Sequence, residues 1–94
     1  MVSEKEEIDN LSWVVRGKQR REIIVHMEGV QTPSEIAKDS KHSLNHTSRV
    51  LKEFRRHKLA KLLNPKEKTG RLYKLTSQGK VIRDRIRSKK KKEY

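Results

Sequence analysis

The stretch SLNHTSRVLKEFRRHKL, residues 43–59, decides the fold because as a helix it is apolar on one side and basic on the other. At roughly 100° per residue, the side chains expected to face a core occupy about a third of the circumference. They are Leu44, Thr47, Val50, Leu51 and Phe54. The opposite side is centred on Asn45, Arg49, Lys52 and Arg56, and Ser43 is the predicted N-cap. The pattern predicts a helix that is both buried and cationic.

The segment just before this helix, TPSEIAKDS at residues 32–40, carries the strongest helix-start signal in the chain. Thr32 is the predicted N-cap, Pro33 takes the first helical position, and Glu35 follows three residues after the cap. In such a capping box each polar side chain accepts a hydrogen bond from the other residue's backbone amide, and Pro has no amide to satisfy. We expect a helix of roughly seven residues and then a tight turn over residues 41–43.

Farther upstream, residues 11–29 place apolar side chains at helical spacings on both sides of Gly17. This pattern predicts a short turn and then a helix over about 18–27, closed by Gly29, with His26 at the edge of the core.

Downstream of the basic helix, residues 59–64 and 71–76 have the length and composition of strands. Pro65 and Gly70 lie between them and predict a hairpin loop. A last helix follows, capped by Thr76 or Ser77, with an apolar stripe made of Val81, Ile82 and Ile86.

The length of 94 residues, with 31% apolar and 39% charged residues, limits the chain to one small domain with a thin core. We expect a flexible acidic N-terminus over residues 1–10, one domain over 11–87, and a basic disordered tail over 88–94. Cysteine is absent, no apolar run approaches the roughly 20 residues of a membrane span, and the acidic start is unlike a signal peptide. These features favour a cytoplasmic protein without a membrane partner.

The charge of the chain is unevenly distributed. Residues 41–92 contain 19 Lys and Arg against three acids, a net charge of +16, whereas the remaining residues have a net charge of −3. A field of one sign over one side of a small particle favours a polyanionic partner, most commonly nucleic acid.

The predicted order of elements is mainly α with a small β-hairpin: a three-helix core, a two-stranded wing and a C-terminal helix. It resembles the winged helix-turn-helix regulators of bacteria and archaea of the ArsR and MarR type. The resemblance runs from about Leu11 to Ile86, and three pieces carry it: TPSEIAKDS, SLNHTSRVLKEFRRHKL and NPKEKTGRLYKLTSQGK. One departure is Lys58, where such proteins usually have Gly, and a left-handed Lys costs about 1 kcal/mol.

The resemblance implies double-stranded DNA as the partner, with a recognition helix over about 43–57 in the major groove and a wing over 64–71 on the backbone or minor groove. It implies base contacts from the first half of that helix: Ser43, Asn45, His46 and Arg49. Asn45 and Arg49 are the preferred base readers, since Asn bonds adenine and Arg guanine in two places. Phosphate contacts are expected from Lys52, Arg55, Arg56, Lys66, Lys68, Arg71 and Ser34, with Lys68 or Arg71 also near a minor groove.

Two other functions remain open. The chain could bind nucleic acid without sequence preference, as a chromatin-like or RNA-directed protein, using the Lys run at 89–92. It could also be a winged-helix adaptor for protein interactions. Catalysis is not expected, because no nucleophile with a base, no buried carboxylate pair and no glycine-rich phosphate loop is evident.

The remaining polar and aromatic candidates are weaker. His42 and His46 are four residues apart, but nothing in the sequence completes a metal site, so we expect neither metal nor cofactor. His57 is predicted to be a cation at a helix end. Trp13 is either a core anchor or a dimer contact. The resemblance implies a homodimer through the first and last helices, and the apolar stripe of the last helix fits this arrangement.

Overall fold

The computed structural model describes residues 4–92, and side chains for residues 5–88. Within that range the chain forms five helices and one two-stranded sheet. In chain order these are α1 (Glu4–Arg16), α2 (Lys18–Ile24), α3 (Pro33–Ser40), α4 (Leu44–Arg56), β1 (Ala60–Leu62), β2 (Tyr73–Leu75) and α5 (Ser77–Lys92). None of these helices is both long and apolar enough to cross a membrane.

The predicted helix starts are confirmed by their hydrogen bonds. Thr32 Oγ1 accepts from the Glu35 amide at 3.2 Å, and Glu35 Oε1 accepts from the Thr32 amide at 2.9 Å, which completes the capping box of α3. Ser43 Oγ accepts from the His46 amide at 3.2 Å and caps α4. Thr76 Oγ1 accepts from the Gly79 amide at 3.2 Å, so Thr76 rather than Ser77 caps α5.

Helix α1 differs from the sequence prediction. The expected turn over residues 11–17 is wrong, because residues 4–16 form one helix that stops at Gly17. Residues 4–10, expected to be a flexible lead-in, are helical, and residues 1–3 lie outside the described range. Acidic side chains near the first turn and Arg16 in the last turn both match the helix dipole. The Arg20 and Arg21 side chains then donate to the carbonyls of Trp13 and Val15 at the end of α1.

The core lies where α2, α4 and the hairpin meet, and α1, α3 and α5 cover it. Its fully or almost fully buried side chains are Val14, Ile23, Ile24, Met27, Ile36, Val50, Leu51, Phe54, Leu59, Tyr73, Leu75 and Ile82. Thr47 is buried with them, as predicted, but Leu44 is 49% exposed and is not a core residue. His26 is also exposed rather than at the core edge, because α2 ends at Ile24 and not at Met27.

The two strands of the hairpin are antiparallel and shorter than predicted, with Ala60 opposite Leu75 and Leu62 opposite Tyr73. Tyr73 and Leu75 both point into the core, in the alternation that a half-buried strand requires. Tyr73 also exchanges two backbone hydrogen bonds with Gln31, from the loop before α3, at 2.8 and 3.0 Å. The hairpin is therefore joined to the segment that leads into the helix-turn-helix.

Two helices end in left-handed lysines. Lys58 has φ of 62°, its amide bonds the Arg55 carbonyl, and the Leu59 amide bonds the Phe54 carbonyl at 2.8 Å. These are the two hydrogen bonds of a Schellman motif, so Lys58 takes the conformation that Gly usually has at this position. Lys41, with φ of 60°, ends α3 in the same way, which the sequence analysis missed.

Helix α5 extends to Lys92, although we expected a disordered tail from residue 88. Residues 93 and 94 lie outside the described range. Arg83 Nη1 donates to the Met27 carbonyl at 2.9 Å, and Arg87 Nε donates to the Val25 carbonyl at 3.0 Å. These arginines satisfy carbonyls just after α2, where the chain has left the helix, and they hold α5 against it.

Candidate nucleic-acid interface

The outer side of α4 is a continuous cationic surface. Asn45, Arg49, Lys52, Arg55 and Arg56 are all exposed on it. Within the described part of the chain, no carboxylate lies within ion-pair distance of these four basic side chains. Their charges are therefore available to an external anion rather than neutralised within the fold.

The start of α4 is held firmly in place. Ser43 Oγ accepts the His46 amide, and the turn before it is closed by the hydrogen bond from the His42 amide to the Ala37 carbonyl at 3.0 Å. His42 Nε2 lies 3.0 Å from Glu22 Oε1, which ties the same turn to α2. The Ser43 hydroxyl accepts one hydrogen bond in the cap, so its hydrogen and its second lone pair are left for an external contact.

The loop between β1 and β2 is closed by a side chain that the sequence analysis missed. Asn64 Nδ2 donates to the Gly70 carbonyl at 3.0 Å, and Asn64 Oδ1 accepts from the Leu72 amide at 2.7 Å. Lys66 and Lys68 lie exposed on the loop that this bridge closes. The Asn-Pro pair that opens the loop could have predicted this bridge, because Asn side chains commonly form hydrogen bonds with nearby backbone groups in turns.

Arg71 is placed differently from the two wing lysines. It is half-buried, and its Nε is buried without a hydrogen-bond partner among the described residues. Any contact from Arg71 to DNA would therefore use the terminal Nη groups of the guanidinium. Its role at a groove stays a prediction.

The start of α3 is less suited to a phosphate than the sequence suggested. Ser34 is exposed there, but the capping box already uses the amides of Thr32 and Glu35, and Pro33 has none. Hydrogen bonds from the backbone and side chain of Thr32 lower the pKa of Glu35, which keeps a negative charge at this helix end. The Ser34 contact stays a prediction, and the Glu35 carboxylate counts against it.

Behind the cationic surface, α4 is anchored to α1 by an aromatic cluster. The Trp13 ring stacks on the His57 ring with centroids 3.8 Å apart and meets the Phe54 ring edge-on at 6.0 Å. The Arg20 guanidinium lies 4.3 Å from the Trp13 centroid. These contacts support the interpretation of Trp13 as a core anchor.

His57 is not the helix-end cation that we predicted. Burial lowers its pKa, the charges of Arg20 and Arg56 lower it further, and Glu53 opposes them. The ring is therefore neutral at neutral pH, because a second positive charge beside Arg20 in a half-buried position is unfavourable.

Two of the histidines, His26 and His42, lie close to oxygens of Glu22. His42 Nε2 is within hydrogen-bond distance of Glu22 Oε1, and His26 Nδ1 lies 2.7 Å from the Glu22 carbonyl oxygen. Within residues 5–88, no three His, Asp or Glu side chains are grouped so that they could hold a metal ion.

No protein-family model and no curated protein sequence matches the chain. Among solved structures, the chain is similar to a MarR family transcription regulator with a TM-score of 0.73 and 21% identity, over 92% of this chain and 64% of that one. It is also similar to NadR, solved in complex with 4-hydroxyphenylacetate, with a TM-score of 0.63 and 16% identity, over 89% of this chain. The match again covers 64% of the neighbour. At these identities the likeness establishes the fold alone: the chain has the winged helix-turn-helix fold that its sequence predicted.

Proposed function

We propose that this protein is a transcriptional regulator that binds double-stranded DNA in the cytoplasm. Helix α4 and its flanking residues, 43–57, would enter the major groove, and the wing, 64–71, would lie on the backbone or minor groove. The observation that carries the proposal is the exposed basic side of α4, which has no ion-pair partner in the described chain. One of its structural neighbours is a MarR family transcription regulator, which supports the same function.

The proposed contacts divide by chemistry. Asn45 and Arg49, exposed in the first half of α4, would recognise bases, with half-buried His46 beside them. Phosphate contacts would come from Lys52, Arg55, Arg56, Lys66 and Lys68. Such a protein acts by occupying a site and obstructing or recruiting polymerase, and it needs no catalytic step.

Selection of bound DNA from a random pool, followed by binding measurements on two variants, tests the proposal. Arg49→Ala should cost about 1 to 3 kcal/mol on the selected site and less on random DNA, because it removes a base contact. Lys68→Ala should weaken binding to both DNAs similarly, because a phosphate contact carries no sequence information.

The two rival functions give different results. If random DNA displaces the protein from every selected sequence equally well, the protein binds without sequence preference. If Arg49→Ala and Lys68→Ala combined leave DNA affinity at low salt unchanged, the surface serves another partner and the adaptor function gains support.

The proposed regulator would act as a homodimer through α1 and α5. Between these helices lies a cleft of about 180 Å³, with Ile8, Leu11, Val81 and Ile82 along it. Ile8 is 59% exposed and Val81 45% exposed, so this apolar lining is not covered within the described chain. A two-fold symmetric dimer would cover both copies of the cleft and match a palindromic site.

Sedimentation equilibrium tests the dimer. The wild-type chain should dimerise at micromolar concentration, and Ile8→Lys combined with Val81→Lys should dissociate it. A wild-type chain that stays monomeric while it saturates its selected DNA site would exclude the dimer.

A further inference from the structure

Leu44 is exposed at the end of α4 that would approach base edges. It is the first residue of the helix and is 49% exposed, whereas Val50, Leu51 and Phe54 on the same helix are at most 4% exposed. Among the described residues, the other exposed large hydrophobic side chains lie outside α4: Ile8, Val15, Val30, Leu63 and Val81. Leu44 therefore lies at the edge of the apolar side of α4, where that side meets the exposed polar and cationic side.

The position of Leu44 is well defined. The residue before it is the N-cap, whose hydroxyl accepts the His46 amide, and Thr47 donates its amide to the Ser43 carbonyl at 3.0 Å. The preceding turn is fixed by left-handed Lys41 and by the contact between His42 and Glu22. Because the backbone here is already ordered, binding costs only the rotamer freedom of the Leu44 side chain and no further ordering of the loop.

The chemistry of the major groove limits what an apolar side chain can contact there. Base edges in that groove present hydrogen-bond donors and acceptors, and the C5-methyl of thymine is their apolar group. We propose that Leu44 packs against the C5-methyl of a thymine and makes this base a determinant of specificity. The inference rests on the proposed function, because it requires α4 to enter the major groove.

The neighbouring side chains are consistent with this assignment. Asn45 follows Leu44 directly and can bond adenine in two places. Because adenine pairs with thymine, Leu44 and Asn45 would together select an A·T-containing step, while Arg49 one turn farther along would select guanine. The specificity of the helix would then combine one apolar contact with two hydrogen-bonded contacts.

The test replaces thymine by deoxyuridine, which lacks only the methyl group, at each thymine of the selected site in turn. We expect one thymine in each half-site at which this change weakens wild-type binding about three- to fivefold, the effect of losing one buried methyl. Leu44→Ala should bind the thymine site about three- to fivefold more weakly, or worse, and should no longer distinguish thymine from deoxyuridine at that position. Leu44→Gln, which keeps the length of the side chain, should lose the distinction too.

Leu63→Ala is the matched control, because Leu63 is also an exposed leucine, at 45%, but lies at the base of the wing. It should keep the full preference for thymine at that position, whatever its overall affinity. The cycle of two proteins and two DNAs removes any effect of deoxyuridine on the DNA alone. The inference is overturned if Leu44→Ala keeps the wild-type ratio at every thymine, or if no thymine is sensitive. Failure of the random pool to give any preferred sequence would overturn the proposed function together with the inference, so the two failures are distinguishable.

Discussion

Substitution of Gly79, in the first turn of α5, would measure how tightly the last helix is packed on the start of the hairpin. A Cβ built at this residue would lie 2.1 Å from the Leu59 carbonyl oxygen and 2.9 Å from Leu75 Cδ2. A carbon and an oxygen that are not bonded stay at least about 3 Å apart, so Gly79→Ala requires a backbone shift of roughly 1 Å. Leu59 is fully buried, and its carbonyl accepts the Thr76 amide at 2.9 Å, so it is poorly placed to move.

The expected cost follows from three contributions. Overpacking of a buried site costs about 1 to 3 kcal/mol, and weakening the bond between Thr76 and Leu59 adds about 1 kcal/mol. Replacing Gly by Ala within a helix returns about 1 kcal/mol. The net effect is a loss of about 2 kcal/mol in the free energy of unfolding, which lowers the Tm of a chain this size by roughly 8 to 16 °C.

Thermal unfolding followed by circular dichroism measures this loss, and Gly70→Ala is its control. Gly70 has no atom within 4 Å of a built Cβ but has φ of +63°, so its substitution reports backbone strain alone and should cost about 1 kcal/mol. A Gly79→Ala protein as stable as the wild type, or more stable, would refute the reasoning. It would mean that α5 can move away from Leu59 without loss.

Two further predictions concern the wing and the aromatic cluster. Asn64→Ala should lower the free energy of unfolding by about 1 to 2 kcal/mol and weaken binding to selected and random DNA alike, because it removes both side-chain hydrogen bonds across the base of the wing. Asn64→Asp, which keeps only the acceptor for the Leu72 amide, should be intermediate in urea unfolding and DNA-binding assays. The pKa of His57 is lowered from its ordinary value of 6.5 by burial and by Arg20, so the unfolded chain takes up its proton first as the pH falls. The free energy of unfolding should therefore be undiminished above about pH 6.5 and should decrease as the pH is lowered from there to the pKa of His57 in the folded state. His57→Phe, which keeps an aromatic ring against Trp13, should lose this part of the pH dependence in urea titrations at several pH values. An unchanged pH dependence in the variant would contradict the assignment to His57.

Helix starts and the hairpin could be predicted because their determinants are close together in the chain. The capping box joins Thr32 to Glu35, and the cap of α4 joins Ser43 to His46, so each involves atoms three residues apart. The burial of Val50, Leu51 and Phe54 followed from helical spacing alone. The left-handed conformation of Lys58 was expected only from the resemblance to proteins that have Gly at this position.

The exposure of Leu44 and the protonation of His57 depend on contacts between segments that are distant in the chain, so the sequence did not predict them. Leu44 lies on the edge of the apolar side of its helix, and only the positions of the neighbouring elements determine that it is exposed. The state of His57 depends on Trp13 and Arg20, more than 35 positions away in the chain, because burial and nearby charge set a pKa.

The sequence by itself therefore determined the order of elements from α2 onward, the N-caps of α3 and α4 and the cationic side of α4, because these follow from local hydrogen bonding and helical periodicity. The tertiary structure decided which of those side chains are exposed and which are buried or paired within the fold. In the folded chain Leu44 is exposed and Arg71 is half-buried. Arg83 and Arg87 donate hydrogen bonds to the carbonyls of Met27 and Val25. The physical reason is that burial and hydrogen-bond partners are properties of the space between segments, and no short stretch of chain contains them.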